Sequence, residues 1–551
     1  MGLKSYYEHE LKTLVEEGHR FSLHHPEIAA SLNMNNTQIT DPQVSRLLEG
    51  CAFLTAQIHQ RLDEEDHDLP EQMIQQLWPQ GGEAFPSCCL AKATPLPGLQ
   101  QRKSLPEGTI LLSEPLGEEQ TRCQFVTVAP MDIYPLVLQE VLHEQAAGER
   151  LRFEFHSTHR LNDLSFHTLT LSLHTQASRA AALLQLIFSP QAEVKAFWGG
   201  KEMPAHGLRF TLPGLRLSLN PAGSGRRMPE QLLFEAFAFP EKLDWLVVEG
   251  LGSLAFSDEA HAFALELTLP RALPHDYRFT AEDFSLFTLP CINQFEHDCE
   301  PIRLDHRSYH YPLIPDHQKP ESLHALSLIR VSGVAEFHQD PVTFESLHEA
   351  QSLSQPYVVV HQGGGPLRLS FHTQDLQEQT LSVQARVTNA HFSRRHLKAG
   401  GLHLGDKQLQ GQISMSNLQT PSRFLEADTA QQSLQLLRLL RVQADRLQSV
   451  EDLKALLRGL NRGENTSLSN NIESMVDLSL RSGSLLKKGV FYTLRAIRLE
   501  VNEKGFSSSY DAFVFGMILH AFFQASAPLS VTIQTIMVLQ PSEEVFEWSS
   551  L

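Results

Sequence analysis

Several groups of residues have the types and spacing that chemistry would need. Cys291, His297 and Cys299 could offer thiolate and imidazole ligands to zinc. Zinc takes four ligands, usually as two close pairs, and no fourth ligand follows at a common spacing, so no metal is expected. Glu296 and Glu300, with Asp298 between them, form an acid pair of the kind that manages protons in glycoside hydrolysis. The chain has 64 acidic residues, so such pairs arise by composition, and a solvated face is the plainer reading. His143-Glu144 and His348-Glu349 begin the His-Glu-x-x-His pattern of a zinc protease. The second histidine is replaced by Ala147 and Ser352, so both are expected to be surface histidines. Gly405-Asp406-Lys407-Gln408 lacks the length and hydroxyl of a phosphate-binding loop. Gly223-Ser224-Gly225 follows Asn220-Pro221 rather than a strand, which argues for a turn rather than a nucleophile elbow. Gly363-Gly364-Gly365 lacks the full dinucleotide fingerprint and a following helix. The residues therefore predict no catalytic group, no cofactor and no metal.

Composition narrows the remaining classes. With 45 Lys and Arg against 64 Asp and Glu, the 551-residue chain carries a formal charge of −19. That balance opposes nucleic acid, which needs a basic stripe to displace counterions, and an anionic membrane surface. The six cysteines are irregularly spaced and include no Cys-x-x-Cys, which favours a reducing compartment. The N-terminus is charged and amphipathic, unlike a secretory signal. The longest apolar run, Ala512 to Phe523, is interrupted by His520 and is shorter than the roughly 20 residues a bilayer needs. A soluble, cytoplasmic protein without direct membrane insertion is expected.

The periodicity predicts an α+β, β-rich chain of several domains. Tyr7, Leu11, Leu14, Gly18 and Phe21 recur at helical steps and end near Pro26. Asp41-Pro42 should cap a second helix bearing Val44, Leu47, Cys51, Leu54 and Ile58. The run is read as closing in Asp63–Asp66, an end expected to fray or meet cations elsewhere, since acid there opposes the dipole. A short third helix is expected over Glu71–Trp78. From 86 to 425 the period changes to two, as in Leu151, Phe153, Phe155 and in Leu169, Leu171, Leu173. Further strands are expected at 123–128, 208–212, 243–248, 262–267, 326–331, 357–360, 367–371 and 381–387, with helices over 178–188 and 229–237. The Pro- and His-rich segment 281–316 reads as an internal boundary. Near the C-terminus Leu434, Leu437 and Leu440 share a helical face, and Ser449–Asp452 resembles a capping box. Strands at 472–480, 493–501 and 531–539 and a helix at 509–523 follow. The expected organisation is a helical region at 1–85, β-rich domains at 86–290 and 291–425, and an α/β domain at 426–551.

Several segments together resemble one family. YYEHELKTLVEEGHRFSLHHPEIAASL and DPQVSRLLEGCAFLTAQIHQRLD at the N-terminus are similar to the opening of TssF, the type VI secretion baseplate subunit also called VasA or ImpG. FAFPEKLDWLVVEGL (237–251), LPCINQFEHDCEPIRLDH (289–306), VTNAHFSRR (387–395) and RAIRLEVNEKGF with FVFGMILHAFF resemble later parts of the family, in family order. The chain departs from it over Val387–Phe392, where a Cys-Thr-Asn-Arg-Asp-Leu-Pro-like stretch is usual, and at Glu547–Leu551.

The resemblance implies a phage-tail wedge-like structural subunit and no enzyme. It implies two copies paired with one TssG, joined through TssK to the membrane complex, with TssE as neighbour. Six such wedges would surround the VgrG spike and start polymerisation of tube and sheath, placing the chain in the cytoplasm, docked at the inner membrane through partners. The stripe Leu11, Leu14, Val44, Leu47, Leu54 and Ile58 then becomes a candidate interface, forming a helical bundle with TssG or the second copy. The rivals are a β-rich hydrolase whose site is assembled from distant residues, and a ligand-binding module with an aromatic platform. The latter would have only Trp78, Trp198, Trp245 and Trp548 to build on.

Overall fold

The computed structural model describes residues 3–31, 34–35, 38–39, 42–78, 81–145, 149–189, 191–219, 229–305, 310–335, 342–346, 356–360, 367–371, 379–427, 432, 434–437, 449–487, 490–528 and 530–549. The chain divides into two compact units, Met1–Leu77 and Trp78–Leu551.

The first unit is helical. Helix α1 spans Leu3–His24, α2 Pro26–Ser31 and α3 Pro42–Leu77, with a short hairpin of Met34–Asn35 against Gln38–Ile39. Pro26 begins α2, where its missing N–H costs nothing. The sequence reading is corrected in α3, which is one 36-residue helix. Neither the acidic run at 63–66 nor Pro70 ends it, and no separate helix begins at Glu71.

The second unit is built mainly from antiparallel sheets. A six-stranded sheet runs in the order Leu402–Leu404, Ile110–Ser113, Gln124–Thr127, Thr288–Ile292, Cys88–Pro95, Ile413–Asn417. A five-stranded sheet joins Lys201–Met203, Glu193–Trp198, Ala262–Leu269, Glu149–Ser157 and Leu136–Glu144. A four-stranded sheet orders Arg209–Thr211, Trp245–Glu249, Leu169–Leu173 and Phe284–Leu286. A larger sheet is centred on Gln379–Thr388 and His324–Ala335, over a core of Leu304, Val331, Leu369, Leu381 and Val383. Val342–Ser346 and Pro356–Val360 pair in parallel, while the other described pairings of that sheet are antiparallel. Helices α4 (Ala177–Ile187), α5 (Pro229–Ala238) and α6 (Ala390–His396) interrupt the strands.

The alternation read from the sequence is physical. Every second residue of Glu149–Ser157 is buried, and Gln379–Thr388 follows the same rhythm. The segment around 281–316 passes through three sheets in succession, by way of Phe284–Leu286, Thr288–Ile292 and Phe295–Asp298. The strand Thr288–Ile292 runs across the division drawn at 290/291, with Cys291 opposite Cys89.

At the C-terminal end Ser449 caps Val450–Leu460 through the reciprocal box with Asp452. Ile472 closes the helix Thr466–Glu473 instead of opening a strand, which starts at Met475. Val490–Asn502 and Val531–Gln540 pair in parallel, joined by the helix Ser509–Ser526. That helix is mostly apolar because most of it is buried, with Phe515, Leu519, Phe522 and Phe523 in the core. Gly516 leaves room for the Trp548 ring, which a Cβ would meet at 2.3 Å.

Candidate functional site

The structure takes apart the constellations that looked chemical. Cys291 lies in the interior of the six-stranded sheet beside Cys88 and Cys89, and burial pushes all three thiols up, keeping them protonated. Cys299 belongs to a different core. Among the described residues no three His, Cys, Asp or Glu side chains stand where they could hold a metal ion. Glu296 and Asp298 are exposed on one edge strand, with Glu296 opposite Arg386. His143 is corrected from a surface to a buried residue. Its Nε2 lies 2.5 Å from Glu149 Oε1, and its Nδ1 accepts from the Phe279 N–H at 3.3 Å. With Nδ1 accepting, the proton sits on Nε2 and points at the carboxylate, an assignment made from the hydrogen-bond network. The pair fastens the hairpin Leu136–Ser157 to the Phe279 loop. Gly405–Gln408 is a turn in which Asp406 Oδ1 accepts from the Gln408 N–H. Gly223–Gly225, His348 and Gly363–Gly365 lie outside the described residues.

Where the sequence showed only resemblance, the structure shows polar joints. Asn293 and Asn389 are 96 residues apart and both fully buried. Asn293 Nδ2 donates to Asn389 Oδ1 and to Gln124 O, each at 2.8 Å. Its Oδ1 accepts from Thr388 Oγ1 and from the Asn389 N–H, each at 2.7 Å. Asn389 in turn donates to Ser322 O and accepts from the Gln124 N–H. These two side chains stitch the segment 289–306 to the segment 387–395, tying two sheets together with their amides satisfied.

A second joint lies under the segment 237–251. Glu235 and Lys242 are buried and 3.2 Å apart. Glu235 also accepts from Ser218 Oγ, the Leu219 N–H and Gln231 Nε2, and Gln231 accepts from Trp78 Nε1. Burial lowers the Lys242 ammonium, and Glu235 opposes that shift. Gly214 is required here, since a Cβ would stand 2.1 Å from Lys242 O.

The helical unit is arranged the other way. Glu10 of α1 is buried and its Oε1 lies 2.8 Å from His59 Nδ1 of α3. Ala52 and Ala56 share the His59 side of α3 and are fully buried. At about 100° per residue, Leu47, Leu54 and Ile58 point away from that side, whereas Leu62, three residues after His59, flanks it. The four are 69%, 60%, 59% and 53% exposed. Of the candidate interface residues, Leu47, Leu54 and Ile58 thus form one open stripe. Leu11 and Leu14 are half-buried on the side of α1 that carries Glu10, and Val44 lies in the first turn of α3. Periodicity alone missed that a small-residue seam, not the leucine stripe, joins α3 to α1.

Among the described residues, then, these buried polar groups are engaged with one another, and α3 leaves Leu47, Leu54 and Ile58 exposed. The chain belongs to the TssF family: it matches the family described as Type VI secretion system, TssF over residues 1–551. That family is a structural component of the secretion baseplate and not an enzyme, which removes the hydrolase reading. The chain is 28% identical over 359 residues to the type VI secretion system component TssF1 of Pseudomonas aeruginosa, covering 60% of this chain and 57% of that relative's length. It is similar in fold to a chain of the type VI TssK-TssF-TssG baseplate subcomplex, with TM-score 0.79 and 21% identity over 92% of this chain and 98% of that one. A chain of a type VI baseplate complex matches with TM-score 0.59 and 20% identity over 100% and 99%. Among the described residues no helix is long and apolar enough to cross a membrane.

Proposed function

We propose that this chain is a scaffold subunit of the type VI baseplate that assembles with TssG and TssK. In this reading two copies pair with one TssG, and TssK links the wedge to the membrane complex. TssE lies alongside, and the wedges surround the VgrG spike to initiate tube and sheath. The subunit works in the cytoplasm, held at the inner membrane through its partners. Family membership supports the setting. The observation that carries the mechanism is the open stripe of Leu47, Leu54 and Ile58. Its heptad-like spacing suits a helical bundle, and a run of large apolar side chains left in water marks an association surface.

The stripe, with Leu11, Leu14 and Val44, is the proposed contact with helices of TssG or of the second copy. Leu47→Asp tests it in co-purification from cells expressing this chain with TssG and TssK. The variant should fold normally and lose its partners. Loss of TssG from the complex identifies TssG as the occupant; a drop from two copies to one identifies the second copy. Unfolding of the variant would show the stripe to be core.

A further inference from the structure

In the second unit a cleft of about 410 Å³ opens among α4, α5, the 3-10 turn Pro240–Asp244 and the helices Thr466–Glu473 and Ser509–Ser526. Its walls are mostly apolar, including Leu184, Leu468, Val514, Phe515 and Ile518. Three carboxylates reach into it: Glu241, Asp244 and Asp511. Asp244 lines the cleft and keeps part of its surface exposed. No described hydrogen bond or ion pair satisfies it. Burial, helped by neighbouring Glu241, pushes its carboxyl up to about 8. Glu241 Oε2 is sealed from solvent and accepts no hydrogen bond, and burial raises this carboxyl too. Asp511 is raised by burial against the opposing hydroxyls of Ser508 and Ser507. Among the described residues no lysine or arginine lines the cleft. Arg394, in the adjoining hollow, acts on Glu241 from the side.

An acidic floor with no lysine or arginine among its described lining residues is complementary to a positive charge that arrives from outside. These carboxylates are not grouped to hold a metal ion. Apolar walls around an acidic floor match a side chain with a methylene stem and a cationic head.

We propose that this cleft is a socket for a lysine or arginine carried on an apolar segment of a protein partner, its head seated against Asp244 and Glu241. The socket lies in a different unit from the leucine stripe and uses different chemistry, but it rests on the reading that the chain assembles with other proteins. The test uses the full chain co-expressed with TssG and TssK, and the chain alone. Asp244→Asn removes a desolvated acid, so the isolated variant should melt a few degrees higher while retention of partner weakens about tenfold or more. Val514→Trp fills the cleft from a half-exposed wall position and should weaken retention without lowering the melting midpoint. Wild-type retention by both variants would overturn the socket, as would a lower melting midpoint for Asp244→Asn, which marks a structural carboxylate. Failure of the unaltered chain to retain TssG or TssK would overturn the assembly reading and the socket with it.

Discussion

The helical unit and the sheet-rich unit invert each other's use of polarity. In the sheet-rich unit Asn293, Asn389, Glu235 and Lys242 are inside, each with partners, and the large apolar residues surround them. In the helical unit Ala52, Ala56 and Glu10 are inside, and Leu47, Leu54 and Leu62 of α3 are outside. Satisfied polar groups in a core fix which segments meet, because the wrong pairing leaves them unsatisfied. Unsatisfied apolar groups on a surface leave the choice of neighbour to another chain. One unit is specified from within; the other, on the proposed reading, is completed from without.

The contrast can be broken most strongly inside the sheet-rich unit. Lys242→Met strands the Glu235 carboxylate in the core and should cost about 3–5 kcal/mol, read from the urea midpoint. Asn293→Ala removes both ends of the amide network and should cost about 2–4 kcal/mol in the same assay. Gly214→Ala forces a methyl onto Lys242 O and should cost about 1–3 kcal/mol.

A pH titration sharpens the picture. Burial pushes Glu83 up to about 7 and Asp244 up to about 8, so the native state holds protons that the unfolded chain has released. Their contribution to stability is complete below pH 4 or so and is lost as pH rises through the folded values. The melting midpoint should therefore fall between pH 5 and 8.5, and Asp244→Asn should flatten that slope. The smallest effect concerns Ala390, which sits at φ 45° immediately after Asn389. Ala390→Gly relieves left-handed strain at an entropic cost and should raise stability by about 0.5 kcal/mol.

How much of this was legible follows from what sequence spacing can encode. Strands with one wet face announced themselves, as in Glu149–Ser157 and Gln379–Thr388. Cys88–Pro95 did not, since its first four residues are all buried and its Cys and Ala residues show no alternation. The Ser449 box predicted its helix because capping is local. The acidic run at 63–66 misled because a polar interruption of the stripe was taken for an end, although acid is disfavoured at a helix C-terminus and the helix carries the run in its interior. The Asn293–Asn389 joint spans 96 residues, and Pro240 breaks the helical spacing between Glu235 and Lys242, so neither pair shares a periodic face. The stripe Leu47, Leu54, Ile58 was readable from its period, whereas its orientation away from Glu10 required the packed seam of Ala52 and Ala56.

The central claim is that the open face of α3 serves another chain and not its own fold. It is tested most directly by purifying the Leu47→Asp chain alone and from cells that also make TssG and TssK, measuring the melting midpoint of the first and the mass of the second. The account predicts an unchanged midpoint and a mass reduced by the loss of TssG or of the second copy. A lowered midpoint, or a complex of wild-type mass, would contradict it.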